Sequence, residues 1–299
     1  MRIEHCVLCP RRCGVSREAE EGHGFCQMGA DAVAARAALH FWEEPCISGT
    51  RGSGAVFFTG CSLQCVFCQN YEISEQRKTG KRLTPQELSN VFQRLVSQGA
   101  HNINLVTGTH FVPAIVEALS LWKPPVPVVY NCGGYETLET LHMLEGLIDI
   151  YLPDLKYAHD DLALRFSGAG DYVEVAHAAL LEMVRQTGPA VYDDDGIMQK
   201  GTLVRHLMLP GHTKDSMAVL DWIAAQLPDV PVSLMAQYIP CGKAKQISEL
   251  NRRVTRREYE KVQNHLFDLN LDGYVQEMES ASKNFIPSFQ MEGLNSIDI

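Results

Sequence analysis

No stretch of this 299-residue sequence approaches the roughly 20 consecutive apolar residues that a membrane-spanning helix needs. Its opening, MRIEHCVLCPRRC, lacks the apolar core of an export signal, so a cytoplasmic location is expected and no membrane partner. Positive charge is in short supply. With 26 Lys and Arg against 36 Asp and Glu, the formal net charge is −10, which argues against a broad phosphate-binding surface and a nucleic-acid partner. The local run of Arg252, Arg253, Arg256 and Arg257 reads as a solvated helix face. No internal repeat of conventional period and no low-complexity tract is present, which excludes a solenoid. Cysteine, in contrast, is abundant. Ten cysteines in a reducing compartment are metal ligands or catalytic thiols rather than disulfides.

Short β-rich runs alternate with longer amphipathic ones. GAVFFTG (54–60), INLVT (103–107), VPVVYN (126–131), IDIYLPD (148–154), LVRHLML (203–209) and VSLMAQY (232–238) read as strands. The clearest helix opens at Thr84-Pro85-Gln86-Glu87, where an N-cap threonine, a proline at the first position and a glutamate three residues on coincide. Near-continuous apolar strands between helices predict an α/β fold with parallel strands, a partial (β/α)6 barrel over 46–245. Residues 1–45 form a small Cys-rich N-terminal metal-binding segment in this reading, and 246–299 a C-terminal helix and tail ending in NFIPSFQMEGLNSIDI. Cys61, Asn131, Asp154 and Gln237 fall at or just past strand ends, the face where barrel loops build active sites.

GCSLQCVFCQNYEIS places Cys61, Cys65 and Cys68 at CxxxCxxC spacing directly after a strand. Four irons of a 4Fe-4S cube each need an external ligand, so three thiolates leave one iron open to a substrate or cofactor. A zinc knuckle completed by Cys46, or plain buried cysteines, are the competing readings. A second set, Cys6, Cys9, Cys13 and Cys26, lies among glycines and arginines with too few apolar residues to fold unaided. It reads as a site for zinc or an auxiliary 4Fe-4S cluster, the alternative being free thiols.

The CxxxCxxC loop with Phe67 before its last cysteine resembles the radical S-adenosylmethionine (SAM) superfamily. WEEPCISGTRGSG followed by FFTGCSLQCVFCQNYEIS resembles, more narrowly, its branch of pyruvate formate-lyase activating enzymes. The resemblance implies that SAM chelates the open iron. A reductant such as flavodoxin or ferredoxin then supplies an electron, and the 5′-deoxyadenosyl radical so formed abstracts hydrogen. Phe67 is implied at the adenine. Where the activases carry Gly-Gly-Glu for the SAM amino group, this chain has Thr107-Gly108-Thr109-His110, making Thr109 and His110 candidate contacts. Where they carry Asp-Thr-Asn-Gly it has Asn131-Cys132-Gly133-Gly134. Asp154-Leu155-Lys156 keeps the family's Asp-Leu-Lys, and Arg205 resembles the activases' arginine, whose fork suits a cofactor carboxylate.

Cys132 and Cys241 follow strand ends and are candidate hydrogen donors, because a thiol S–H bond is weak; Gln237 is a candidate ligand contact. The expected function is a radical oxidoreductase removing hydrogen from a substrate, a glycine of a partner protein in the activase reading. The alternatives are radical modification of a small molecule or peptide and, in another class, a non-catalytic Fe-S electron carrier or zinc-stapled adaptor.

Overall fold

The apolar runs take up their expected places in this computed structural model, which describes residues 2–77, 79–278 and 287–294. In chain order the strands are β1 (Ala32–His40), β2 (Ser53–Phe58), β3 (Lys81–Leu83), β4 (Ile103–Val106), β5 (Val128–Cys132), β6 (Ile150–Pro153), β7 (Val191–Tyr192), β8 (Met198–Thr202), β9 (Val204–Leu207), β10 (Val232–Met235) and β11 (Gly273–Val275). The helices are α1 (Pro45–Ser48), α2 (Tyr71–Ser74), α3 (Pro85–Ser97), α4 (Val112–Leu121), α5 (Leu138–Leu144), α6 (Asp160–Ser167), α7 (Tyr172–Thr187), α8 (Thr213–Gln226) and α9 (Arg256–Asp268). Helix α3 starts where its cap residues require. The Thr84 hydroxyl accepts from the Glu87 amide at 3.3 Å while the Glu87 carboxylate accepts from the Thr84 amide at 2.7 Å, so two amides with no intrahelical partner are satisfied at once. Thr255 and Glu258 repeat the arrangement at α9.

The larger sheet runs β3-β1-β2-β4-β5-β6-β8-β7, and β11-β10-β9 form a second. β2, β4, β5 and β6 are parallel neighbours, as are β9, β10 and β11. One extended run, β8 and β9 interrupted at Leu203, passes between the sheets: β8 pairs with the start of β6, and Arg205 of β9 bridges to Asp154 just past its end. The six strands expected from the sequence therefore curl side by side as an open, partial barrel. β2, β4, β5 and β6 are buried along their whole length. Leu88, Phe92 and Leu95 of α3, with Ile115 of α4 and Leu141 of α5, pack on their outer face, as parallel sheets covered on both sides demand.

Three features lay outside the local pattern. Alanine-rich β1, within the stretch 1–45 that the sequence set apart, has little intrinsic strand preference. It becomes a strand because β2 offers an antiparallel partner from Ala34 to His40 and because residues 287–294 close over it. There the Ala37 amide donates to the Glu292 carbonyl at 3.0 Å, and Arg36 meets the Glu292 carboxylate at 2.9 Å. The Cys-rich part that stands outside the sheet thus ends near Ala30. The hairpin of β7 and β8, and β11 from the expected tail, complete the sheets in the same way, through partners distant in sequence. Residues 279–286 and 295–299, which include parts of NFIPSFQMEGLNSIDI, lie outside the described residues.

Thr84→Ala removes the hydroxyl cap of α3 and is expected to lower unfolding free energy by about 1 kcal/mol, read as a reduced midpoint in urea with an unchanged slope.

Candidate active site

β2 leads through Thr59 and Gly60 into the three-cysteine loop. Gly60 has φ +86°, and a Cβ there would lie 2.5 Å from the Met28 side chain, so only glycine turns the chain at this point. Cys61, Cys65 and Cys68 come to line an open cavity. Each sulfur accepts at least one hydrogen bond: Cys61 from the Leu63 amide at 3.3 Å and from the Gln64 amide, Cys65 from the Ser167 hydroxyl at 3.0 Å, and Cys68 from the Ser74 hydroxyl at 3.4 Å and from the Asn70 amide. Burial, with Cys65 nearby, pushes the Cys61 thiol up, and the same causes carry Cys68 to about 12. A metal taking these sulfurs must therefore displace protons at neutral pH.

The rest of the lining is built from the ends of the neighbouring strands. Thr107, past β4, holds φ +62° although it is β-branched, a strained conformation of the kind that gathers at ligand sites. Asn131 and Cys132 end β5, Asp154 and Lys156 follow β6, Arg205 lies on β9 and Gln237 follows β10; all line the cavity, as do Thr109 and Phe67. The Phe67 ring itself turns into the core, with its centroid 6.5 Å from that of Tyr157 and 6.3 Å from that of Tyr238.

Arg205 is the hub of a buried charge network. Its Nε donates to Asp154 at 2.8 Å, Nη1 to Glu43 at 2.9 Å and Nη2 to Asn131 at 2.6 Å. The fork that sequence resemblance offered to a cofactor carboxylate is thus largely engaged by the protein's own acceptors. Burial raises Asp154, but Arg205 and Lys156 more than reverse this and hold it below its ordinary value. Burial lowers Lys156, yet its 2.6 Å ion pair with Asp154 leaves the ammonium above its usual range. Glu43 and Glu44, from the WEEP run, are pushed up by burial against the pull of Arg205.

Glu136 is a residue that sequence reasoning passed over. It lines the cavity with 2% of its surface exposed, accepting from the Thr109 hydroxyl at 2.7 Å and the Tyr130 hydroxyl at 3.1 Å, and from the Cys132 thiol. Burial raises its carboxyl to about 7, and among the described residues no lysine or arginine pairs with it. The available signal was the glycine pair before it: Gly134, at φ +75°, would put a Cβ 2.5 Å from the Asp154 carbonyl, and the tight turn swings Glu136 back to the strand ends.

Two expected residues stand elsewhere. His110 turns away from the cavity because successive side chains of the 3₁₀ turn Thr109–Phe111 diverge. With Thr109 on Glu136, the His110 ring bonds the Thr59 carbonyl at 2.8 Å, and burial lowers it to about 3, so it is neutral. Cys241 is carried past Pro240 into a neighbouring cavity with Tyr71 and Lys245, away from the three-cysteine wall. Tyr238 also faces inward, its hydroxyl donating to the Leu250 carbonyl at 2.7 Å.

Comparison with known proteins identifies the family of this chain. Residues 55–223 fit the Radical SAM superfamily. The chain belongs to the radical SAM superfamily. It is 31% identical over 279 residues, 90% of this chain and 76% of the relative, to an uncharacterized protein of Methanocaldococcus jannaschii. Among solved structures, a radical SAM methyltransferase from Sphaerobacter thermophilus shares the fold at TM-score 0.53 and 13% identity, over 77% of this chain and 69% of that one. SuiB of Streptococcus suis bound to its precursor peptide SuiA matches at TM-score 0.49 and 12% identity, over 73% of this chain and 47% of that chain. The chain thus spans about half the length of SuiB.

Radical SAM enzymes use a 4Fe-4S cluster, SAM and a reductant, and the residues here suit such a cluster. Three sulfurs each hold a hydrogen bond that favours thiolate. Among the described residues no three His, Cys, Asp or Glu side chains meet closely enough to hold one metal ion; in a cube each thiolate binds its own iron, so convergence on one point is not required. Among the described residues no helix is long and apolar enough to cross a membrane.

Glu136 ties stability to pH. Its ordinary value is 4.5 and its folded value about 7; between the two, the unfolded chain has lost a proton that the folded chain keeps. Stability contributed by Glu136 therefore falls as pH rises through this window, by on the order of 3 kcal/mol. Urea midpoints of the metal-free protein at pH 5 and pH 7.5 should differ less in Glu136→Gln than in the wild type.

Proposed function

We propose that this radical SAM protein is an activase-like oxidoreductase that abstracts hydrogen from a peptide segment, a glycine of a partner protein being the substrate that fits the reading. The observation that carries it is one cavity lined both by Cys61, Cys65 and Cys68 and by Glu136, whose carboxyl has no lysine or arginine partner among the described residues. A second open cavity shares the wall residues Gln69 and Pro287 with the first. Two adjoining open cavities, with Trp42, 58% exposed, on the lining of the first, favour a peptide segment over an enclosed small molecule.

In this reading Cys61, Cys65 and Cys68 hold three irons, and the bound cluster and SAM, with a flavodoxin- or ferredoxin-type reductant, supply the hydrogen abstraction. The protein orients the reactants. Glu136 accepts the SAM ammonium: it is held on Thr109, which stands where activases place their own glutamate. A buried carboxylate with neutral donors only gains most from a cationic ligand. The Phe67 backbone meets the adenine edge, and Asn131 and Gln237 supply polar contacts. Lys156 offsets negative charge beside Cys65, while Arg205 and Asp154 brace the cavity floor and leave two guanidinium N–H groups for a ligand oxygen. Cys132, which lines the cavity and whose thiol bonds Glu136, is the candidate for returning hydrogen to a substrate radical.

With iron and sulfide restored anaerobically and dithionite added, the protein should release 5′-deoxyadenosine, and Cys61→Ala should abolish it. A glycine-containing peptide should speed this release. Acceleration only by small metabolites would transfer the site to small-molecule chemistry, and no release from a fully loaded cluster would make the protein an electron carrier. Calorimetric titration of the loaded protein should show SAM binding weakened roughly 10- to 100-fold in Glu136→Gln, as expected when one charged hydrogen bond is lost.

A further inference from the structure

The N-terminal cysteines take no part in the cavity, yet they lie against the loop that does. Their segment is folded back on itself by the bridges Ile3 to Arg17 and Arg17 to Gly22, and backbone amides point at its sulfurs. The Arg11 amide donates to Cys9 and the Met28 amide to Cys26, each two residues on, and the Phe25 amide donates to Cys13 at 3.3 Å. Arg12 at φ +39° and Gln27 at φ +54° hold the left-handed region next to Cys13 and Cys26. Non-glycine residues stay there only when their surroundings enforce it.

A second, independent observation is a buried cation. Arg17 is 1% exposed; it donates to the Met28 carbonyl at 3.0 Å, to the Gly29 carbonyl and to the Cys6 sulfur at 3.5 Å. Among the described residues no carboxylate pairs with it. A guanidinium buried beside sulfur calls for negative charge there, and a metal bound by four thiolates carries a net negative charge.

The segment also grips the three-cysteine loop. Arg11 donates through Nε to the Ser62 carbonyl at 2.8 Å, through Nη2 to the Ser167 carbonyl at 2.8 Å and through Nη1 to the Gly168 carbonyl. Its guanidinium stacks 4.1 Å from the Phe25 ring, and the Phe25 carbonyl accepts from Gln64 at 3.0 Å. Gln64 is itself at φ +52°, in the middle of the loop, and Ser167 is the residue whose hydroxyl bonds Cys65.

We propose that Cys6, Cys9, Cys13 and Cys26 form a second metal centre that braces the three-cysteine loop, with Arg11 as the positioning residue between them. The centre takes a thiophilic metal, zinc or the irons of another cluster, since both use a tetrathiolate shell. The four sulfurs are neighbours: Cys9 feels the charges of Cys6 and Cys26, and Cys26 those of Cys6 and Cys13. The metal centre stands without the radical reading; the bracing role rests on it.

The test uses full-length protein, reconstituted anaerobically, with zinc, iron and sulfide counted per chain. Wild type should hold metal beyond four irons, either one zinc or a further set of iron and sulfide; the counts separate these two sources. Cys61→Ala/Cys65→Ala/Cys68→Ala should lose four irons and keep the additional metal. Cys9→Ser/Cys13→Ser should do the reverse and surrender its remaining iron to a chelator faster. Arg11→Ala should keep both metals but release the loop's iron roughly tenfold faster, the effect of losing charged hydrogen bonds to the loop, and Arg11→Lys should recover part of this. A wild type with four irons and nothing more overturns the centre while leaving the radical reading intact. Additional metal without four loop irons sinks that reading and the bracing role but upholds the centre. Unchanged iron release in Arg11→Ala and in Cys9→Ser/Cys13→Ser overturns the bracing.

Discussion

Strands buried on both faces can present polar side chains only where they end. In β2, β4, β5 and β6 every residue is covered, so the cavity is lined mainly by residues at the strand ends and in the loops just past them. Parallel pairing then gathers those residues on one edge. Cys61, Thr109, Glu136, Asp154 and Gln237 share one cavity because their strands are parallel neighbours, although about 175 residues separate the first from the last in sequence. An antiparallel sheet with the same composition would scatter them between two edges.

Charge in the cavity is arranged in two patterns. Around Arg205 the protein satisfies itself: Asp154, Glu43 and Asn131 take up the guanidinium, and that network fixes the junction where β6 meets β9. Buried ion pairs of this kind contribute more to a defined geometry than to net stability. Glu136 follows the other pattern, being held in place by hydroxyls and a thiol with no lysine or arginine beside it among the described residues. The first pattern shapes the site; the second is the feature on which the proposed contact with a cationic ligand rests.

The N-terminal segment shows how a part without a core can matter to one that has a core. Its apolar content is too small for a separate fold, and its contacts go to the cysteine loop, to Glu139 through Arg12 and to α5 through Thr140, which donates to the Leu8 carbonyl at 2.7 Å. Holding Gln64 and Ser62 from outside relieves β2 of positioning the whole loop through Gly60 alone.

The sequence by itself determined the six parallel strands, the cap of α3 at Thr84, the CxxxCxxC loop and its place after the first of those strands. These rest on periodicity, capping chemistry and spacing, which act over a few residues. Tertiary structure alone decided that AVAARAALH is a strand, because β2 and residues 287–294 supply its partners. It alone decided that Arg205 faces carboxylates, that His110 points to the Thr59 carbonyl and that Cys241 leaves the cavity. It also brought Glu136 to Thr109. Each of those outcomes depends on which strands become neighbours and how tightly a turn closes, and these are set by contacts between residues far apart in the chain, which local pattern does not encode.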